Sequence, residues 1–269
     1  GAADVAGTLY KVGAFGFFAW ALPLLPAAAE VWSPVLLGLS AATALYAGIV
    51  ATRQEDLKSL LAYASLSHMG IIGAGIFALD IVGANGAMYI YAAQMISTGG
   101  MFLIAGMLHA RTGTFDLDAY GGMARTAPAL AALSLFILFT SIGVPGLANF
   151  PGEFMSLMGA FQASTWAGVV SVGAIIAAGV YGVNLYQRTY QGRLKGRLAD
   201  LDSFEFLVLA PVVAGILWLG IMPAPQLQRI ETQSIWAVGG AATTVETPPG
   251  AGPEVAAGLP DAGAQKGAR

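Results

Sequence analysis

Cysteine is missing from all 269 residues, and histidine occurs only twice. The first absence excludes disulfides and any iron–sulfur or zinc site built on thiolates. The second leaves haem ligation short of partners, because His68 and His109 are the whole supply. There is no HExxH, no Walker A loop, no GxGxxG after a strand and no Ser–His–Asp arrangement. A nucleotide or hydrolytic site is therefore not expected, and neither a cofactor nor a metal is. Charge is also scarce, at 10% of residues against about 25% in an average soluble chain. The net charge of −3 suggests no nucleic-acid partner. The chain opens at Gly1 with neither Met nor a basic n-region, so no signal peptide is expected and a piece of something longer is.

What remains is apolar. Hydrophobic residues make up 57% of the chain, the mean hydropathy is +0.70, and 36 glycines suit close helix packing in lipid. The sequence predicts an all-α, polytopic transmembrane helix bundle of about seven spans. They fall near 5–25, 34–51, 59–79, 86–109, 127–161, 167–187 and 204–223. Residues 1–223 form this membrane domain. The remaining 224–269 are expected to be a tail, with a weakly amphipathic piece, PQLQRIETQSIWAV, then a Gly-, Ala- and Pro-rich disordered end from Gly239.

Six joints separate the spans, and charge sorts them. The second, fourth and sixth hold Arg53 and Lys58, Arg111 and Arg125, then Arg188, Arg193, Lys195 and Arg197, which is eight of the twelve basic residues. The first, third and fifth (PAAAEVWS, DIVGAN and QAST) hold none. By the positive-inside rule the basic joints face the cytoplasm, and the tail ends outside.

That alternation requires residues 127–161 to cross once. From Pro128 to Phe161 they read PALAALSLFILFTSIGVPGLANFPGEFMSLMGAF, too long for one ideal span and full of helix breakers at the centre. A two-span hairpin would put the basic sixth joint on the wrong side. A broken helix crossing once is therefore expected. Unwound backbone at that depth is tolerated only where protein or a watery cavity surrounds it. A carboxylate there, Glu153, costs roughly 2.5–3.5 kcal/mol on insertion scales, so its default reading is functional. The restart of the helix beside Pro151 and Gly152 is expected to favour that anion. A structural Glu153 would instead be tied to a neighbouring Lys or Arg.

Three other spans carry polar groups at depth. Lys11 is either a lysine near a span end that snorkels to the headgroups or a buried amine that carries protons. His68 lies about 15 Å along its helix from Lys58, near mid-depth. It is either a helix–helix hydrogen-bonding partner, with Ser65 on the same face, or a proton relay. Gln94 and Thr98, one turn apart, do not titrate, and they hold water or bond neighbouring helices. Lys11, His68, Gln94 and Glu153 together suggest a water-bridged proton wire at mid-depth.

Three strings carry a family resemblance: LYKVGAFG, QEDLKSLLAYASLSHMG and GVPGLANFPGEF. Over about residues 1–222 the chain resembles the second half of the antiporter-like subunits of respiratory complex I, of the chain M or subunit-4 type of NADH-quinone oxidoreductase. The resemblance implies a subunit of fourteen helices with two inverted repeats, of which this chain is similar to the last seven helices. It implies that Lys11 is the amine of a central polar axis and His68 a connecting histidine. Glu153 is then the outward carboxylate, where sister subunits tend to carry a lysine. The expected path runs from Lys11 via His68 and water near Gln94 to Glu153.

The implied partners are other membrane subunits of complex I, the bilayer, protons and channel water, with no NADH bound directly. The implied place is the inner (plasma) membrane of the cell. Related cation/proton antiporter and membrane-bound hydrogenase subunits share the pattern and supply the alternative. A packing scaffold, with polar residues that only bond helices, is the third reading.

Overall fold

The computed structural model describes residues 11–242, with side chains through Gly239. The described residues form nine principal helices and no β-strand. They are α1 (Val12–Leu24), α2 (Pro26–Thr52), α3 (Leu57–Phe77), α4 (Ile81–Thr112), α5 (Pro128–Ser141), α6 (Asn149–Ala163), α7 (Thr165–Tyr190), α8 (Ser203–Ile221) and α9 (Ala224–Ala242). Helices α2, α3, α4, α7 and α8 are long and apolar enough to cross a membrane. The expected first span begins ahead of the described residues, and α1 within it contains a π-helical stretch, Phe17–Ala21.

Two expected joints are helical. PAAAEVWS forms the first turns of α2, because Pro26 needs no hydrogen-bonding N–H at a helix start. In DIVGAN only Asp80 stays outside α4, where its carboxylate accepts from Gly83 N at 3.1 Å. The expected amphipathic piece lies within α9, which buries Ser234, Ala237 and Val238 and continues to Ala242. The rest of the expected disordered segment lies outside the described residues.

The bundle is built around α3, whose apolar window is 78% buried, whereas α8 at the periphery is 17% buried. Small residues permit this closeness. A Cβ on Gly70 would stand 2.4 Å from the Ala44 backbone nitrogen, and one on Gly86 2.4 Å from that of Ser156.

The three basic joints meet at one end of the bundle. Leu57 N donates to Phe115 O, Leu117 N to Glu55 O and Gly122 N to Gln191 O. Arg188 donates to Gln54 O and Asp118, and Lys195 to Asp118 O. Asp200 reaches from the sixth joint to the start of α5, where its carboxylate accepts from Ala129 N and Leu130 N, both at 3.0 Å. Burial alone would raise the pKa of Asp200, but these backbone N–H groups, with Leu201 N and Arg111, hold it below the ordinary 3.8.

The broken helix crosses once. Along α5 and α6 the contacts on α4 fall steadily: Ile137 lies against Gly100, Gly152 against Ile90 and Gly86, and Gly159 against Gly83. A hairpin would have reversed that order. Between the halves, Ile142 to Ala148 turn through Gly143 (φ 74°), Pro145 and Gly146 (φ 90°), positive values that suit glycine. Gly220 of α8 lets Gly146 O come close, since a Cβ there would meet it at 2.3 Å.

Candidate functional site: a buried His–Glu pair at the helix break

Helix α6 restarts at Asn149, four residues before Glu153. The expectation of a helix start beside Glu153 is thus corrected: its backbone sits beyond the first turn of α6. Side chains on a helix lean toward its N-terminus, so Glu153 folds back over the break instead. Its Oε2 lies against Gly143, where a Cβ would meet it at 2.0 Å. Only a glycine leaves this room, and the same glycine supplies the turn's positive φ.

The carboxylate meets His68 of α3. Glu153 Oε1 stands 3.3 Å from His68 Nδ1, an approach not aligned as a hydrogen bond. The other ring nitrogen, Nε2, is 3.2 Å from the Tyr181 hydroxyl of α7. All three residues are at most 3% exposed. A buried, low-dielectric setting strengthens every charge interaction within it and penalises any unpaired charge. Among the described residues, Glu153 is paired with an imidazole and with no Lys or Arg. His68 does bond a neighbouring helix, through a tyrosine.

Lys11 does not snorkel. It is fully buried, with Nζ 3.4 Å from the backbone oxygen of Gln94. Thr98 Oγ1 donates to Gln94 Oε1 at 2.5 Å within α4. Ser97, beside Thr98, donates through Oγ to Asn149 Oδ1 at 3.3 Å. Asn149 lies one turn ahead of Glu153. Gln94 Nε2 and Asn149 Nδ2 are buried with no protein partner among the described residues. The structure therefore sets Gln94 beside Lys11 and His68 beside Glu153, with Ser97 and Asn149 between the two groups. His109 stands apart, stacked on Phe115 with ring centroids 4.1 Å apart.

Sequence reasoning missed Tyr181 and Ser97 as members of this line. Both sit in otherwise apolar spans, and a polar residue recurring at depth was the available signal. Asn149 was visible only as one more helix breaker.

Comparison with known proteins gives the arrangement its context. Residues 1–177 match the family described as "NADH:quinone oxidoreductase/Mrp antiporter, TM". A curated relative, NADH-quinone oxidoreductase subunit 13 of Thermus thermophilus, is 43% identical over 223 residues, which is 83% of this chain and 48% of the relative. A chain in the structure of respiratory complex I from Thermus thermophilus with bound NADH superposes with a TM-score of 0.85 at 39% identity, over 87% of this chain and 50% of that one. A chain of the Mrp complex from Dietzia sp. DQ12-45-1b shares the fold, with a TM-score of 0.70 at 16% identity, over 78% of this chain and 49% of its own. The chain spans about half the length of the curated relatives it matches. This chain belongs to the transmembrane family of NADH:quinone oxidoreductase and Mrp antiporter subunits.

Proposed function

We propose that this chain works within a proton-translocating membrane subunit of an NADH:quinone oxidoreductase. In this reading the redox chemistry takes place in other subunits, and the chain is the translocase part of the enzyme. Protons pass between Lys11, Gln94 with Thr98, the Ser97–Asn149 bridge, and Glu153 with His68. Water held at Gln94 Nε2 and Asn149 Nδ2 would complete the steps. Neither amide titrates, but a water between them conducts. The basic joints face the cytoplasm of a bacterial plasma membrane and the start of α9 faces outward. The partners are the other membrane subunits of complex I, with no direct contact to NADH.

One observation carries the reading: a carboxylate is buried at a helix break within 3.3 Å of an imidazole, with no Arg or Lys recorded as an ion-pair partner among the described residues. An imidazole and a carboxyl share a proton across such a distance when either moves slightly. A permanent guanidinium could not. The test is Glu153→Gln in the assembled complex. Transport should be lost with assembly intact, and a normal proton stoichiometry would overturn the role.

The alternative is a cation/proton antiporter subunit without a redox partner, favoured by the family match, which spans both kinds of protein. Copurification of a flavin and iron–sulfur arm decides for the first reading, and sodium-dependent proton exchange without it decides for the second.

A further inference from the structure

We propose that Tyr181 is a positioning residue that selects which nitrogen of His68 faces Glu153 with a proton on it. The inference rests on the transport reading for its consequence, but the chemistry can be measured apart from transport.

The geometry is a three-member line across three helices: Tyr181 of α7, His68 of α3 and Glu153 of α6. An ionised Glu153 only accepts, so the imidazole nitrogen facing it, Nδ1, is the one that must hold the proton. Neutral His68 then has a bare Nε2, which needs a donor. The Tyr181 hydroxyl is 3.2 Å away and supplies one. Among the described residues, it makes the only aligned hydrogen bond to this ring, because the Nδ1–Oε1 contact is not aligned. The orientation of the ring therefore depends on the tyrosine more than on the glutamate.

A hydroxyl suits this place in both protonation states. When His68 is neutral, Tyr181 donates to Nε2. When His68 has received a second proton at Nε2, the hydroxyl rotates and accepts. The proton on Nδ1 can then pass to Glu153, leaving Nε2–H bonded to the phenol oxygen and a neutral carboxyl beside a bare Nδ1. The second proton is supplied by water of the transport path proposed above. A phenylalanine serves neither state, and a bare Nε2 in a buried site is costly. Without the hydroxyl, the ring loses its aligned hydrogen bond among the described residues, and with it the orientation that keeps Nδ1 toward the carboxylate.

The chain's two histidines make this measurable. The full chain, labelled with 15N-histidine and placed in lipid bilayers, should show two imidazoles by solid-state NMR. His109→Gln assigns the pair and leaves the proposed path untouched. In the native chain at neutral pH, His68 should show a protonated Nδ1 and a bare, hydrogen-bonded Nε2. In Tyr181→Phe that preference should fall at least tenfold, giving mixed tautomers. Replacing Tyr181 by a fluorinated tyrosine keeps the packing and makes the phenol a stronger donor, so the Nε2 resonance should move the opposite way. If Tyr181→Phe does not fold, this variant decides alone. A His68 spectrum that is the same in every variant overturns the proposal. Loss of transport in Glu153→Gln together with an unresponsive His68 spectrum would sink this inference and leave the transport reading standing. The converse would sink only the transport reading.

Discussion

Replacing Gly143 by alanine tests whether the helix break exists to seat Glu153. Two costs can be read from the structure. The first is backbone: at φ 74° an L residue is strained by roughly 1–2 kcal/mol. The second is local: a new Cβ would stand 2.0 Å from Glu153 Oε2, whereas ordinary contact begins at 3.4 Å. The obstacle is the end of a flexible side chain, so the carboxylate will withdraw and the fold will survive. That retreat exceeds 1 Å and pulls Oε1 from its 3.3 Å contact with His68. A 1 Å misplacement of a reacting group costs about 100-fold in rate.

Gly146→Ala is the internal control. Its φ of 90° gives a comparable backbone penalty, but its Cβ would meet nothing within 4 Å. Thermal unfolding in detergent should therefore show both variants destabilised, by about 1–2 kcal/mol each. Proton uptake driven by quinone reduction in proteoliposomes should be near normal for Gly146→Ala and about 100-fold slower for Gly143→Ala. Equal transport in the two, or equal loss, would refute the claim that the close approach of Gly143 positions the carboxylate.

Further outcomes follow from the same contacts. Asp200→Ala removes a carboxylate that caps α5 from another joint, and it should cost about 1–2 kcal/mol. Because the folded pKa of Asp200 is depressed, its stabilisation is whole above 3.8 and drains away as pH falls below that value. An acid-unfolding midpoint that Asp200→Ala leaves unmoved would contradict this. Gly152→Ala places a Cβ 2.6 Å from the backbone nitrogen of Ile90, an obstacle that cannot swing aside. It should cost about 1–3 kcal/mol or more and lower the yield of assembled protein, as read by size-exclusion chromatography. Lys11→Met should slow proton transport, since it exchanges a fully buried amine for a side chain that cannot carry a proton. A faster or unchanged rate would remove Lys11 from the path.

The amino-acid sequence alone determined the membrane class, the all-helical architecture and the grouping of the basic joints at one end of the bundle. Those properties follow from composition and charge order, and the bilayer reads both without reference to tertiary contacts. The single crossing at 127–161 was legible for the same reason: a hairpin would have broken the alternation of basic joints. Lys11, His68, Gln94 and Glu153 stood out because polar groups at mid-depth are expensive wherever they pack.

The tertiary structure alone decided who touches whom. Tyr181 is 113 residues from His68 in the chain, and only the packing of α7 on α3 and α6 brings its hydroxyl to the ring. Asp200 caps α5 from 70 residues away through a joint whose path no periodicity foretells. The turn that puts Gly143 under the Glu153 carboxylate depends on two positive φ angles, and a glycine in a sequence permits such angles without requiring them. Local preferences act over a helical turn. The line of buried polar groups is assembled across four helices, and its spacing is set by how closely their glycines let the backbones approach.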